Sequence, residues 1–214
     1  KFDGGRAYED ILYQTELGPR IPDSAAHAQT RAWIESELIA AGWQVDVQVF
    51  DALGHRGYNL IASRGSLSPE IILGAHYDSR IYADHDPDVD KRKQAVLGAN
   101  DGASGVAVLL ELARKIPAGK QADQSIWLVF FDLEDNGNIP TWDWILGSRA
   151  FVEKYPINPD AVVILDMIGD ADLNIYLEKN SNIEIRTEIW AQAANLGYDT
   201  LFIDEEKFSM LDDH

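Results

Sequence analysis

His76 with Asp78, Asp132 with Glu134 and Asp135, and Asp166 with Asp170 each follow a short apolar run of the sequence. The last strand-like run is followed by Asp212, Asp213 and His214, and the segment Gly98-Ala99-Asn100-Asp101-Gly102 leads straight into a helical pattern. Taken singly, each has an ordinary reading. His76-Tyr77-Asp78 is a short polar triplet, Glu134-Asp135 a strand-end turn, Asp101 a helix N-cap and Asp212-Asp213 a solvated end. Taken together, several strand ends each deliver an imidazole or a carboxylate to one edge of a sheet, where open α/β sheets form their sites. Gathering that many acids without a cation is very costly, so a metal is the simplest account. Imidazole and carboxylate without thiolate suits zinc or a neighbouring divalent ion in an open catalytic site. One bridging carboxylate flanked on each side by a His and an acid is the pattern of a two-metal hydrolase.

The elements that must position these groups follow from the hydrophobic pattern. Apolar residues recur at helical spacing over 8–17, 25–41, 103–116, 147–155 and 182–196. Residues 45–50 alternate with period two, and 58–62 is a second short strand. The continuous apolar runs 71–75, 125–131 and 161–165 read as strands covered on both faces. Strands are also expected at 173–177 and 200–203, and long polar loops at 79–98 and 136–145. Strands alternating with helices predict an α/β fold with helices on both sheet faces. With no repeat, low-complexity tract or linker, residues 1–214 read as a single domain.

Composition narrows the function. The 214 residues carry 18 Lys+Arg against 36 Asp+Glu, a net charge of −18. No basic run exists to displace counterions from a phosphate backbone, which argues against nucleic acid. The absence of cysteine excludes a disulfide scaffold, a thiolate metal site and a thiol nucleophile. No apolar stretch approaches the ~20 residues of a transmembrane helix. The chain opens at Lys1 rather than Met, as a trimmed or mature form does. That favours a secreted or extracytoplasmic location without fixing the compartment.

Five ordered motifs resemble the M28 zinc peptidases and the related glutaminyl-peptide cyclotransferases. They are Gly74-Ala75-His76-Tyr77-Asp78-Ser79, Gly98-Ala99-Asn100-Asp101-Gly102-Ala103-Ser104-Gly105, Phe130-Phe131-Asp132-Leu133-Glu134-Asp135, Leu146-Gly147-Ser148-Arg149-Ala150-Phe151 and Leu165-Asp166-Met167-Ile168-Gly169. Gly18-Pro19-Arg20 is similar to both groups as well. The resemblance implies a three-layer α/β sandwich with a mixed, largely parallel central sheet. It further implies zinc, with His76 and Asp166 on one ion, Asp135 and His214 on the other, and Asp101 bridging. Glu134 is then the general base towards the water that the metal activates, and Asp78 orients the His76 ring.

On that resemblance the leading expectation is a two-zinc aminopeptidase acting on peptides with a free N-terminus. The alternative is a one-zinc glutaminyl-peptide cyclotransferase, in which Asp101, Asp135 and His214 hold the ion and Asp166 is a hydrogen-bonding acid. The insert 136–144 is similar in length and tryptophan content to the cyclotransferases and makes Trp142 and Trp144 the expected substrate-binding residues. A non-catalytic binding module would be expected to lose the base or the ligands, and Glu134 and most of the ligands are retained. Two departures stand out: Asp135 replaces the family's usual second Glu, and Gly147 follows Glu134 by 13 positions where plain aminopeptidases typically take only a few. The chain also stops at the His that the family places before a further strand and helix. The domain is therefore expected to lack that strand and helix. His214 is then expected to be poorly held and metal to rest mainly on His76, Asp101 and Asp166.

Overall fold

A computed structural model describes residues 1–64, 68–117 and 125–214. The elements run α1 (Gly4–Leu17), α2 (Ala25–Ala40), β1 (Gln44–Ala52), β2 (His55–Arg64), β3 (Ile71–His76), α3 (Ala103–Lys115), β4 (Ile126–Phe131), α4 (Leu146–Lys154), β5 (Ala161–Ile164), β6 (Ile175–Glu178), α5 (Ile183–Asn195) and β7 (Phe202–Phe208). Ser24 caps α2 by accepting the His27 N–H, and Asn182 caps α5 by accepting those of Glu184 and Ile185.

Five strands form one sheet in the order β1-β2-β4-β3-β5, while β6 and β7 pair in parallel as a separate two-stranded sheet. β1 and β2 are antiparallel to each other, and β2 is antiparallel to β4. β4, β3 and β5 run parallel, with His76 opposite Phe131 and Gly74 opposite Ile164. The three parallel strands therefore release their chains at the same edge.

Burial on both faces explains why the central strands are apolar throughout. Leu128 and Phe130 of β4 join Leu60, Ala62 and Ala75 in a core closed by Ile34 and Leu38 of α2 and Val106, Leu109 and Leu110 of α3. The alternate residues Trp127, Val129 and Phe131 pack with Ile61, Ile72 and Phe151 of α4 on the other face. This is a mixed α/β sandwich with helices on both faces, as the pattern predicts. β5 differs from the expected fully buried strand: all four of its residues keep some exposure and Val162 is 38% exposed. Among the described residues it pairs with β3 alone and forms the sheet edge. No helix among the described residues is long and apolar enough to cross a membrane.

Small residues set how closely α3 approaches the strand ends. A Cβ at Gly105 would lie 2.0 Å from the Leu165 carbonyl oxygen and 2.9 Å from Cβ of Ala75. Gly105→Ala is expected to destabilise the protein by about 1–3 kcal/mol, as overpacking does. Urea unfolding would show this as a lower midpoint at unchanged slope.

Candidate metal centre

Each acidic or imidazole group at the parallel edge is placed by its own strand. β3 ends on His76, with Asp78 two residues later. Beyond β4, Leu133 adopts a left-handed φ of 56° that turns the chain into Glu134 and Asp135. Beyond β5 lies Asp166, whose loop is tied to the start of α3. There the Ile168 N–H donates to Ser104 Oγ at 3.1 Å and the Gly169 N–H to Asn100 Oδ1 at 2.8 Å. Asp101 is not the cap of α3; the N-cap is Gly102, with no side-chain capping bond. Asp101 instead turns to His76, and Gly102 makes room, since a Cβ there would lie 2.6 Å from His76 Nε2.

Among the described residues His76, Asp101 and Asp166 form a group able to hold a metal ion. His76 Nε2 lies 2.9 Å from Asp101 Oδ1 and 3.4 Å from Asp166 Oδ1. Nε2 and Asp166 Oδ1 are both buried, yet neither makes a hydrogen bond of good geometry. Orphaned buried polar atoms call for a missing partner, and one imidazole nitrogen with two carboxylate oxygens is a donor set that zinc accepts. The other ring nitrogen, Nδ1, faces Asp78 Oδ1 at 3.3 Å, the arrangement that orients a ligating imidazole.

Asp78 is fully buried and also accepts the Glu134 N–H at 3.1 Å and the Asp135 N–H at 3.4 Å. Glu134 is fixed a second time where its carbonyl accepts the Ile145 N–H at 3.1 Å, closing the insert. Arg80 donates to the carbonyls of Asp135 and Gly137 at 2.7 and 3.1 Å, pairs with Asp84 and lies over the Trp144 ring. Trp142 stacks on His55 with ring centroids 3.7 Å apart. Both tryptophans are half-buried against protein groups.

His214 stands apart from the His76–Asp101–Asp166 group. Its Nε2 lies 3.3 Å from Glu178 Oε2, at the end of β6. Burial alone would raise Glu178, but N–H donors from Met210, Asn180 and Ser181 hold it down at about 2, so it is an anion that attracts the imidazole. The preceding Asp213 enters the acid cluster, and Asp212 beside it is raised by burial and by the charge of Asp166. Both oxygens of Asp213 are buried without a hydrogen bond of good geometry, and its charge raises Glu134. Sequence reasoning counted Asp213 among the strand-end acids but gave it no role of its own. It also passed over His27, whose Nε2 lies 2.7 Å from buried Asp132. The signal for that pair was Asp132, opening the acidic run after β4.

The electrostatics are those of a crowded acid site. Burial, then the charges of Asp213, Asp78 and Asp135 against that of His76, push Glu134 up to about 10. Burial and Asp101 raise Asp135 to about 8, and burial raises Asp213 to about 7. Burial opposes the charged form of His76, but the facing carboxylates of Asp101, Asp166 and Asp78 outweigh it and raise its pKa well above the usual value. Asp78 runs the other way: burial raises it, and His76 with the Glu134 N–H lowers it further than that.

Fold and site together define an α/β metal-centre protein of the zinc-exopeptidase type. The chain belongs to peptidase family M28, whose sequence profile matches residues 59–214. It is 28% identical over 167 residues to leupeptin-inactivating enzyme 1 of Streptomyces exfoliatus, covering 75% of this chain and 34% of that one. The chain thus spans about a third of that curated relative. A leucine aminopeptidase precursor from Bacteroides thetaiotaomicron superposes with a TM-score of 0.92 at 33% identity, covering 100% of this chain and 80% of that one. A glutaminyl cyclase from the same organism, bound to N-acetylhistamine, gives the same four values. A Zn-dependent exopeptidase from Parabacteroides distasonis follows at a TM-score of 0.89 and 33% identity, covering 100% of this chain and 79% of that one. Zinc is the metal that these likenesses and the donor set support.

Zinc added to the metal-free protein is expected to release protons and to bind more tightly as pH rises from about 6 to 8, because an ion displaces the protons that raised carboxyls hold. Calorimetry in two buffers of different ionisation heat measures the release. Raised carboxyls stabilise the metal-free fold fully below their ordinary pKa of ~4, and this is lost as pH climbs through their folded values. His76, also raised, acts in the same direction. The melting temperature without zinc should therefore fall between pH 5 and pH 8, and fall less with zinc present.

Proposed function

We propose that this protein is a zinc-dependent enzyme of the peptide amino terminus, acting as an aminopeptidase. The observation that carries this reading is the pair of orphaned, buried donor atoms, His76 Nε2 and Asp166 Oδ1, beside Asp101. A two-ion peptidase uses all three as ligands, whereas a one-ion cyclotransferase has no ligand role for His76 or Asp166. On this reading Asp101, Asp135 and His214 would hold a second ion, which would require His214 to leave Glu178.

Bound zinc supplies Lewis acidity towards water and the scissile carbonyl and lowers the pKa of water to ~7. The chain's own residues do the rest. Glu134, protonated in the metal-free site, becomes a carboxylate when a dication sits nearby, since a bound ion inverts the local pKa logic. It then takes a proton from the attacking water and delivers it to the leaving amine. Asp78 keeps the His76 ring oriented and holds the Glu134 backbone by one of the same oxygens. Trp142 and Trp144, on the insert closed at Glu134, form an aromatic wall for the first side chain of the peptide.

Glutaminyl-peptide cyclisation is the second reading. It is favoured by the tryptophan-bearing insert and by superposition of this chain on 80% of a glutaminyl cyclase. There Glu134 moves a proton from the attacking α-amine to the departing ammonia, and Asp166 acts as a hydrogen-bonding acid.

Aminoacyl-nitroanilide hydrolysis and ammonia release from an N-terminal Gln peptide, both at saturating zinc with the full-length protein, decide between them. Hydrolysis with two zinc ions per chain supports the peptidase; ammonia release with one ion supports the cyclase. Neither activity would overturn both. Glu134→Gln is expected to lower kcat by about 10²–10⁴-fold with zinc binding retained. Asp166→Asn should reduce the zinc count in a peptidase and leave it unchanged in a cyclase.

A further inference from the structure

Arg20 is the largest of the fully buried side chains and is 0% exposed, yet it makes no ion pair. Among the described residues no carboxylate comes within 4 Å of it. Its guanidinium instead donates to three backbone carbonyls: Nε to Tyr77 at 2.8 Å, Nη1 to Leu97 at 2.8 Å and Nη2 to Gly98 at 2.7 Å. Burying a cation with only neutral partners is expensive, so a use for it is expected. The three carbonyls are not an arbitrary set. Tyr77 stands between His76 and Asp78, and Leu97 and Gly98 immediately precede the segment that carries Asp101. These two stretches are the ends of the long polar loop 79–98, which has no helix or strand of its own.

The Arg20 backbone takes part as well, its carbonyl accepting the Ser79 N–H at 3.2 Å. Gly98, at φ +67°, is pressed into the same junction. A Cβ there would lie 2.7 Å from Arg20 Nη2, 2.9 Å from Ser79 Cβ and 2.5 Å from the Asp101 carbonyl oxygen. The charges of Asp78 and Asp101 favour the charged guanidinium against the burial that lowers it to about 10.

We propose that Arg20 is a positioning residue for the metal centre, stapling the His76–Asp78 segment to the Gly98–Asp101 segment so that His76 and Asp101 meet across the loop. This rests on the metal reading above. A planar fork with diverging N–H groups reaches three carbonyls on two segments; a lysine ammonium keeps the charge on a compact point and cannot hold the same three. The geometry, not the charge alone, is what positions the ligands.

The test compares the full-length protein with Arg20→Lys and Arg20→Gln. Zinc affinity is measured by competition with a chromophoric chelator, well below the melting temperature of each variant, and the visible spectrum is recorded with cobalt in place of zinc. Both variants are expected to lose about 10–100-fold in zinc affinity, the usual effect of removing a group that orients metal ligands, and to show altered cobalt bands. Gly98→Ala, which pries open the same junction while leaving Arg20 in place, should do likewise and serves if the Arg20 variants do not fold. An Arg20→Lys protein, or a Gly98→Ala protein in its stead, with wild-type zinc affinity and an unchanged cobalt spectrum would overturn the inference while leaving the metal centre intact. An unmodified protein that binds no zinc would overturn the metal reading itself.

Discussion

The carboxylate of Asp78 is the point on which the edge of this sheet depends. It is fully buried, and each of its oxygens is engaged. Oδ1 faces the His76 ring and accepts the Glu134 N–H, and Oδ2 accepts the Asp135 N–H and, at 3.5 Å, the Asn136 amide. A single anion thereby sets the orientation of an imidazole on one strand and the backbone course of two acids beyond the next. It can do so because it stays ionised where its neighbours take up protons, held down by His76 and by the N–H donors that surround it. An isolated buried carboxylate would be protonated instead. The site's acids therefore divide by environment: Asp78 keeps its charge to organise the backbone, whereas burial raises Glu134, Asp135 and Asp213.

The sheet makes that division possible. β3, β4 and β5 are parallel and in register, so their carboxyl ends lie side by side and polar residues that follow them converge. The covering layers are tight where the strands end. Gly74 sits against Ile164 and Phe131, and Gly105 against the Leu165 carbonyl. Side chains at these positions would push β5 and α3 away and take Asp166 and Asp101 with them. Below the edge, two apolar cores on opposite faces resist such movement, because close-packed interiors transmit strain rather than absorb it.

Around the acids, Arg20 and Arg80 donate to buried backbone carbonyls, and Arg80 also pairs with Asp84. Arg80 binds the carbonyls of Asp135 and Gly137 and joins the long polar loop to the tryptophan-bearing insert. His27 reaches Asp132 from α2 and stacks on Tyr77, linking the first helical layer to both strand ends. The likeness to an aminopeptidase precursor and to a glutaminyl cyclase at equal TM-scores has a physical counterpart here. The candidate ligands stand at the edge of a sheet that fits both structures, whereas the insert 136–144 is a local loop closed at Glu134.

The order of helices and strands was readable from the chain alone, because apolar periodicity is a local property and each element buries the face its pattern describes. Val45–Phe50 alternates and lies half-buried in β1, and the unbroken run Ile126–Phe131 is covered on both sides. That His76, Asp101 and Asp166 gather at element ends was readable because each lies within two residues of the end of an element whose position the pattern dictates. Their ligand roles came from the family resemblance. Partners were not readable. That β5 would be an edge strand, that His214 would face Glu178 while Asp213 entered the acid cluster, that His27 would meet Asp132 across 105 residues of sequence and that Arg20 would be interior all depend on distances between remote segments. Such distances are set when the layers pack. A side chain's chemistry is written at its own position, but the group that satisfies it is chosen by the tertiary fold.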